Sequence, residues 1–361
     1  MQLNNSHKTY FICATQTSNL GDLVINKMLI DELCKYGCVY LDASNLPLDF
    51  KRPLLENQNI IDTADLGVTV KSPSFNGIFK FLKLIKTEHI SFLTRSPGPL
   101  EEPSFKVRLG FSIINLAARL FGVKVVYFGN CCSEALANSS KIKTTYMNSV
   151  YVRSFESEKY AKQYLNCKVG FIPDMAFLLN GGERTVTKKP IVAVDFRGVS
   201  DNPEELMSDI KNNVKEFLDN GYSVELFYQV KGDKPYVEKI YQEIKQDGVS
   251  IHDGLIWYDE MDYFADKSFV YSNRLHSLLI GAMYGAIPVA RITNDPRLLK
   301  IEHVFKSSLP DEFCAFLKIE TSLDVKTIVE NQKFLLSLLN NSIKKNGDIA
   351  RGLIANVLSS Y

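Results

Sequence analysis

The feature that most constrains the fold is an alternation of two kinds of segment along the chain. Short runs rich in valine, isoleucine and aromatic residues are followed by longer segments with helical periodicity. This alternation is typical of βα units, in which parallel strands form one sheet and helices cover its faces. The sequence therefore predicts an α/β fold with parallel sheets. The predicted strands are residues 10–14, 39–41, 90–93, 124–128, 149–152, 169–172, 191–196, 223–228, 249–251, 268–271 and 287–290.

Length and one polar segment indicate two domains. The chain has 361 residues, too many for one ordinary hydrophobic core and suited to two domains of roughly 150–180 residues each. Residues 180–190 are polar, glycine-rich and end in proline, which is typical of a linker. We predict one domain over 1–180 and a second over 190–361, the latter ending in helices. Open α/β domains bind ligands at the carboxyl ends of their strands, so we expect an active site in a cleft between the two.

The composition indicates a globular protein without a general affinity for nucleic acid. The hydrophobic fraction of 45% and the charged fraction of 23% are near the average for globular domains. A net charge of +1 gives no bulk attraction to polyanions, so any basic site must be local. The seven cysteines show neither CxxC nor zinc-ligand spacing. They lie in segments that we interpret as core, which fits a reducing compartment.

No targeting or membrane-spanning segment is recognisable in the sequence. The first eight residues lack the basic and apolar regions of a signal peptide. The most apolar stretch, residues 107–121, contains Arg108 and Arg119 and is too short to span a bilayer. We therefore predict a cytoplasmic location.

One strand-to-helix junction carries the residues with the clearest chemistry. The predicted strand 268–271 is followed by Asn273, and Arg274 and His276 lie where an apolar helix begins. The first turn of a helix offers backbone N–H groups and the positive end of the helix dipole. A guanidinium and an imidazole at that position favour a phosphate or carboxylate ligand. The alternative is that Arg274 caps a neighbouring carbonyl group and His276 is an ordinary histidine at the edge of the core.

Several short motifs occur in an order that is typical of one known family. Residues 18–22 read Ser-Asn-Leu-Gly-Asp, and residues 152–157 contain Val-Arg and a serine. Residues 172–177 read Ile-Pro-Asp-Met-Ala-Phe, residues 273–278 read Asn-Arg-Leu-His-Ser-Leu, and Ile-Pro-Val follows at 287–289. In this order they resemble the polysaccharide pyruvyl transferase family. That family has a Gly-Asn-x-Gly-Asp turn, Val-Arg-Asp and Pro-Asp-x-Ala-Phe patterns, and an Arg-Leu-His signature before Pro-Val.

The resemblance implies two Rossmann-like domains in a GT-B-like fold, and transfer of a pyruvyl group from phosphoenolpyruvate to a sugar. The product would be a ketal on a bacterial cell-surface polysaccharide or its lipid-linked precursor, with release of phosphate. We expect the N-terminal domain to bind the acceptor and the C-terminal domain to bind phosphoenolpyruvate. A lipid-linked acceptor would bring peripheral contact with the inner face of the membrane, although no basic amphipathic helix stands out. No Walker loop, GxGxxG fingerprint or paired metal-ligand motif occurs, so we expect neither a cofactor nor a metal.

The resemblance also suggests roles for individual residues. Phosphoenolpyruvate carries a phosphate and a carboxylate, so its site needs several fixed cations. His276 is predicted to protonate the methylene carbon, and Asp22 and Asp174 to act as bases or hydroxyl ligands. Equally, Asp22 could cap helix 23–36 and Asp174 could be a turn residue, while loop arginines are often surface ion pairs of little consequence. The predicted substrate-binding residues are Asn19, Gly21, Arg153, Arg197, Asn273, Arg274 and Arg297.

The chain departs from the family pattern directly after Arg153 and at Arg297. Arg153 is followed by Ser154, where the family commonly has an acidic residue. Arg297 stands where the family often has lysine. These departures bear on the donor and the acceptor more than on the fold.

Two other functions therefore stay open at this point. The first is a GT-B-type glycosyltransferase that uses a nucleotide sugar, because Arg274 would suit a diphosphate equally well. The second is a non-catalytic scaffold or anion-binding subunit in surface-glycan assembly, which the missing acid at Ser154 favours.

Overall fold

A computed structural model describes residues 7–71, 74–100, 105–133, 144–181, 187–198, 202–292, 296–315 and 324–360, except the side chains of residues 296 and 297. The chain divides into two compact units. The first unit comprises the residues up to Thr17, Asp22–Leu178 and those from Asp348 on; the second comprises Ser18–Gly21 and Leu179–Gly347. The domain boundaries predicted at residues 180 and 190 flank residues 182–186, which lie outside the described part of the chain. They stay predictions.

The first unit is a parallel sheet in the order β3-β2-β1-β4-β6-β7-β8, with the short strand β5 beside β6. Its inner strands are buried along most of their length, as in parallel sheets covered on both faces. The strands are β1 His7–Ile12, β2 Gly37–Asp42, β3 Ile60–Asp62, β4 Phe92–Arg95, β5 Gly98–Pro99, β6 Lys124–Cys131, β7 Ser149–Val152 and β8 Lys168–Phe171. The helices are α1 Leu20–Cys34, α2 Leu48–Leu54, α3 Phe75–Glu88, α4 Phe105–Leu120 and α5 Phe155–Tyr164; α1 begins with the last two residues of the short segment that belongs to the second unit.

The second unit contains a five-stranded parallel sheet in the order β11-β10-β9-β12-β13. Strands β10 and β11 follow β9 on one side of the sheet, and β12 pairs with β9 on the other side. The strand order therefore reverses between β9 and β12, a topological switch point where open α/β sheets form a ligand crevice. The strands are β9 Ile191–Asp195, β10 Ser223–Leu226, β11 Val249–Ile251, β12 Phe269–Ser272 and β13 Ile287–Ala290. The helices are α6 Pro203–Asp219, α7 Lys234–Ile244, α8 Leu275–Met283, α9 Pro296–Ser308, α10 Asp311–Cys314, α11 Val325–Glu330 and α12 Gln332–Ser359; the part of α12 from Asp348 on belongs to the first unit.

A glycine sets how closely α8 lies on β12. A Cβ atom at Gly281 would lie only 2.4 Å from the Val270 side chain. Any residue other than glycine at this position would therefore prevent the close approach of α8 to β12. The parallel register pairs Ser272, the last residue of β12, with Asp195, the last residue of β9. The first turn of α8 therefore begins beside the carboxyl ends of both strands.

These observations confirm the predicted α/β class with parallel sheets. Several local predictions were wrong. Helix α1 begins at Leu20 rather than at residue 23, because the Leu20 and Gly21 N–H groups already have acceptors in Gln229 and Asn19. Helix α3 was not predicted.

Candidate functional site

Ser272 shapes the turn between β12 and α8. Its hydroxyl donates to the Asp195 carbonyl oxygen at 2.5 Å and accepts from the Arg274 N–H group at 2.8 Å. Arg274 occupies the N-cap position with an extended backbone and no side-chain cap. The first N–H groups of a helix have no partner within the helix. The start of α8 therefore offers donors and positive dipole potential at the switch point.

Asn273 connects this turn to the loop after β9. The side-chain amide is buried, and its Nδ2 donates to the Arg197 carbonyl oxygen at 3.0 Å. Its Oδ1 accepts from the Arg197 N–H group at 2.9 Å. The amide therefore holds the backbone of Arg197 from both sides. Two of the predicted binding residues are joined in this way at the carboxyl edge of the sheet.

Arg274 forms an ion pair with Asp233, which directly precedes α7. Its Nη2 donates to Asp233 Oδ1, and the side chains are 18% and 7% exposed. Among the described residues, neither Asp233 Oδ2 nor Arg274 Nε has a hydrogen-bond partner. Burial raises the pKa of Asp233, and this effect exceeds the opposing attraction of Arg274 and Arg197. Both arginines therefore act electrostatically on one buried carboxylate.

A second carboxylate, Asp195, lies fully buried at the end of β9. Ser277 in the first turn of α8 donates to its Oδ2 at 2.5 Å, and Gln229 Nε2 donates to Ser277 Oγ at 2.7 Å. Asp195 Oδ1 and Gln229 Oε1 have no hydrogen-bond partner within the described part of the chain. Burial raises the pKa of Asp195 to about 7, with Arg274 acting to lower it and Asp233 to raise it.

Residues 18–21 complete the second unit's site. Asn19 forms an antiparallel bridge with Val230, and the Leu20 N–H group donates to the Gln229 carbonyl oxygen at 3.2 Å. A Cβ atom at Gly21 would lie 2.3 Å from the Nδ1 and Cβ atoms of His276. Only glycine allows this contact. The second unit thus brings together six predicted site residues: Asn19, Gly21, Arg197, Asn273, Arg274 and His276.

Arg153 and Asp174 meet at the carboxyl edge of the first unit's sheet. Arg153 Nη1 donates to Asp174 Oδ2 at 2.7 Å, and the side chains are only 5% and 1% exposed. Asp174 Oδ1 accepts from the Ala176 N–H group at 3.0 Å. Burial acts to lower the pKa of Arg153, but the interactions of its guanidinium with Cys131 and Asp174 outweigh burial. The pKa of Arg153 is therefore raised. Each carboxylate oxygen of Asp174 thus accepts a hydrogen bond. This arrangement is expected of a residue that positions the Arg153 guanidinium.

Comparison with known proteins decides the family. The sequence model of polysaccharide pyruvyl transferase matches residues 100–296, more than half of the chain. The chain belongs to the polysaccharide pyruvyl transferase family. The match includes Arg153, Asp174, Arg197 and the junction 273–276, and it confirms the resemblance inferred from the motifs. No curated protein sequence matches the chain.

Solved structures with the same fold include two enzymes that are named for a UDP-sugar and one glycosyltransferase. UDP-GlcNAc 2-epimerase from Neisseria meningitidis, bound to UDP-GlcNAc, is 11% identical with a TM-score of 0.63, covering 98% of this chain and 100% of its own. The enzyme of that name from Methanocaldococcus jannaschii has 11% identity, a TM-score of 0.61 and the same coverage. A glycosyltransferase from Rickettsia africae has 11% identity and a TM-score of 0.54, covering 98% and 94%. Identities this low show the fold alone, and they confirm the GT-B-like class of this family member.

Ser154, where the family commonly has an acid, has a structural role here. It is the N-cap of α5, and its Oγ accepts from the Ser157 N–H group at 3.1 Å. Aspartate is an equally good N-cap residue. The departure therefore does not leave the helix uncapped, which weakens the argument that a missing acid favours a scaffold.

Asp22 and Arg297 are not in the two groups of predicted residues described above, and besides Asp195 and Asp233 the sequence missed Arg95 and Asn130. Asp22 lies in the first turn of α1, so it is not the N-cap that the sequence allowed; its Oδ1 accepts from Thr15 Oγ1 at 2.8 Å. Arg297 lies in α9, but its side chain is outside the described part. Arg95 and Asn130 are buried at the carboxyl edge of the first unit's sheet, with Arg95 packed 4.7 Å from the centre of the Phe111 ring. The sequence feature that could have indicated Arg95 and Asn130 as site residues was their position at the ends of strands.

Proposed function

We propose that this chain transfers a pyruvyl group from phosphoenolpyruvate to two hydroxyls of a saccharide, forming a cyclic ketal and releasing phosphate. The single observation that supports this most is that Asn273, the residue directly before Arg274, holds the backbone of Arg197. Two arginines are thereby brought to the switch point of the second unit. Phosphoenolpyruvate needs two cationic contacts, one for its phosphate and one for its carboxylate. Family membership supplies the reaction class.

In this proposal the second unit binds the donor. The guanidinium groups of Arg197 and Arg274 bind its anionic groups, and the first N–H groups of α8 add further donors. Asn273 positions Arg197 rather than touching the substrate, because both ends of its amide hold that residue's backbone. Asn19 and Gly21 fix the place of His276.

The proposed chemistry begins with proton transfer from His276 to the methylene carbon of the donor. The double bond is lost, a cation forms at the enol carbon, and one acceptor hydroxyl adds there. The bond from that carbon to the phosphate oxygen then breaks, so phosphate leaves with that oxygen, and the second hydroxyl closes the ketal. Of the two hydroxyl protons released, one restores His276 and the other leaves on phosphate.

The first unit is proposed to bind the acceptor. Arg153 is held by Asp174, so we assign Asp174 a positioning role. Asp22, which accepts from Thr15, is the proposed base for an acceptor hydroxyl. A lipid-linked saccharide of a cell-surface polysaccharide is the proposed acceptor class.

The proposal is tested by incubating the protein with phosphoenolpyruvate and a panel of saccharide acceptors. We expect phosphate release together with a pyruvyl ketal on one acceptor, detected by mass spectrometry. Arg274→Ala and His276→Ala should abolish both without lowering the unfolding temperature greatly. Exposed Arg52→Ala and His89→Asn are the matched controls and should keep full activity.

A thermal-shift measurement separates this function from nucleotide-sugar transfer. Phosphoenolpyruvate should stabilise the wild-type protein, and this stabilisation should be lost in Arg274→Ala. Stabilisation by nucleoside diphosphates without any by phosphoenolpyruvate would contradict the proposal and favour a glycosyltransferase.

A further inference from the structure

Helices α3 and α4 expose an apolar surface in the first unit. Of thirteen large hydrophobic side chains that the described residues expose, seven lie on these two helices or directly after α4. Phe75 is 92% exposed, Leu120 76% and Phe79 65%. Single exposed apolar residues are ordinary, but a contiguous group marks an interaction surface. The α3–α4 surface consists of Phe75, Phe79, Phe105, Leu109, Ile113, Leu120 and Phe121.

The core does not account for this surface, because each helix has a separate inward face. Phe81 and Ile85 of α3 and Phe111 and Ile114 of α4 are buried in one hydrophobic cluster. The exposed residues of α4 follow the spacing of residues 105, 109 and 113, which places them in one stripe along the helix. Helix α4 thus carries two apolar stripes, one facing the core and one facing solvent.

Exposed basic residues are interspersed with the exposed apolar residues along both helices. Helices α3 and α4 contain six basic residues and one acidic residue, although the whole chain has a net charge of only +1. The acidic residue, Glu88, is paired with Lys8. The exposed basic side chains on these helices are Lys80, Lys83, Lys86, Lys106 and Arg119.

Aromatic and aliphatic side chains flanked by lysine and arginine are the chemistry of a helix that lies in a membrane interface. Among the described residues, no helix is long and apolar enough to cross a bilayer. We propose that the α3–α4 surface docks this chain on an anionic lipid bilayer. The phenylalanine and leucine side chains enter the boundary between headgroups and acyl chains, and the lysine and arginine side chains contact lipid phosphates. This proposal does not depend on the donor proposed above.

The test is co-sedimentation of the full-length protein with lipid vesicles. We expect binding to phosphatidylcholine vesicles that contain phosphatidylglycerol, weaker binding to phosphatidylcholine alone, and weakening by salt. A triple variant with Phe75→Ser, Phe79→Ser and Leu109→Ser should bind about tenfold less. Exposed Leu48→Ser with Phe334→Ser is the matched apolar control and should bind as the wild type does.

Charge is tested in the same assay. Lys83→Glu with Lys106→Glu should weaken binding to anionic vesicles about tenfold, whereas Lys344→Glu with Lys345→Glu, exposed on α12, should not. Circular dichroism confirms that each variant is folded. Three results would overturn the proposal: no binding to anionic vesicles, equal loss in the control variants, or a wild-type dimer in sedimentation that the triple variant disrupts in place of vesicle binding.

Discussion

Asn273 holds the backbone of Arg197 through both ends of its side-chain amide, with an N–H···O distance of 2.9 Å on one side and 3.0 Å on the other. The two residues are far apart in sequence, and the sheet order brings them together at the ends of β9 and β12. The cationic character of the proposed donor site depends on this pairing, because it fixes one arginine beside the turn that carries the other.

Asn273→Ala should weaken donor binding. It removes the two hydrogen bonds that the amide makes with the Arg197 backbone, so we expect a loss of about 1–3 kcal/mol in the free energy of unfolding and a higher KM for phosphoenolpyruvate. Steady-state kinetics and denaturant unfolding measure the two effects. Asn213→Ala, which removes a buried amide bonded to Tyr271, is the control: it should lower stability and leave KM unchanged. Equal KM values in both variants would argue against the positioning role.

Gly21→Ala should impair the chemical step. The added Cβ would overlap the His276 side chain at 2.3 Å, so the imidazole must move. A displaced catalytic group can cost about 100-fold in rate, and we expect this loss in kcat more than in KM. Gly352→Ala, on α12 with no neighbouring atom within 4 Å, should leave kcat unchanged. Normal kcat in Gly21→Ala would mean that His276 needs no fixed position.

Asp233→Asn should strengthen donor binding. The Asp233 carboxylate neutralises part of the charge of Arg274, and its raised pKa means that it takes up a proton more readily than an exposed aspartate. Donor affinity in the wild type should therefore rise as the pH falls through this titration. The variant should bind about tenfold more tightly at neutral pH, with a flatter pH profile, in calorimetric titrations. Asp209→Asn, which breaks the pair with Arg291, should keep the wild-type profile; weaker binding by Asp233→Asn would indicate that Asp233 orients Arg274 instead.

Asp195 should make the protein less stable as the pH rises. Its pKa is raised to about 7 in the folded chain from 3.8, so the folded state binds the proton more tightly than the unfolded state does. Its contribution is present in full below the unfolded value and is lost as the pH rises through about 7. Asp195→Asn should therefore gain stability relative to the wild type between these values, by at most about 4 kcal/mol. Denaturant unfolding at several pH values measures this gain, and a difference that does not vary with pH would contradict the account.

The sequence predicted best what depends on local pattern. Strands 149–152, 249–251 and 287–290 agree with β7, β11 and β13 to the residue, because each is a short run with β-branched residues between longer helical or turn segments. The junction with Arg274 and His276 was found for the same reason. Helix starts carry local signals, and the unusual placement of charge there could be seen without tertiary information.

What the sequence did not predict depends on tertiary placement. Asp195 and Asp233 are ordinary acidic residues in the sequence and become buried neighbours of Arg274 only through the order of β10, β9 and β12. From the sequence, the stretch 107–121 was noted as apolar and too short to span a bilayer. Whether its apolar residues face the core or solvent depends on where the sheet lies. The periodicity of the sequence alone does not predict this.

The most direct test of the central claim uses phosphoenolpyruvate labelled with ¹³C at its methylene carbon. We predict that the label appears as the methyl group of a ketal on the saccharide, with one phosphate released per ketal, and that Arg274→Ala and His276→Ala yield none. Label that stays in phosphoenolpyruvate while the saccharide gains a sugar from a nucleotide donor would contradict the account.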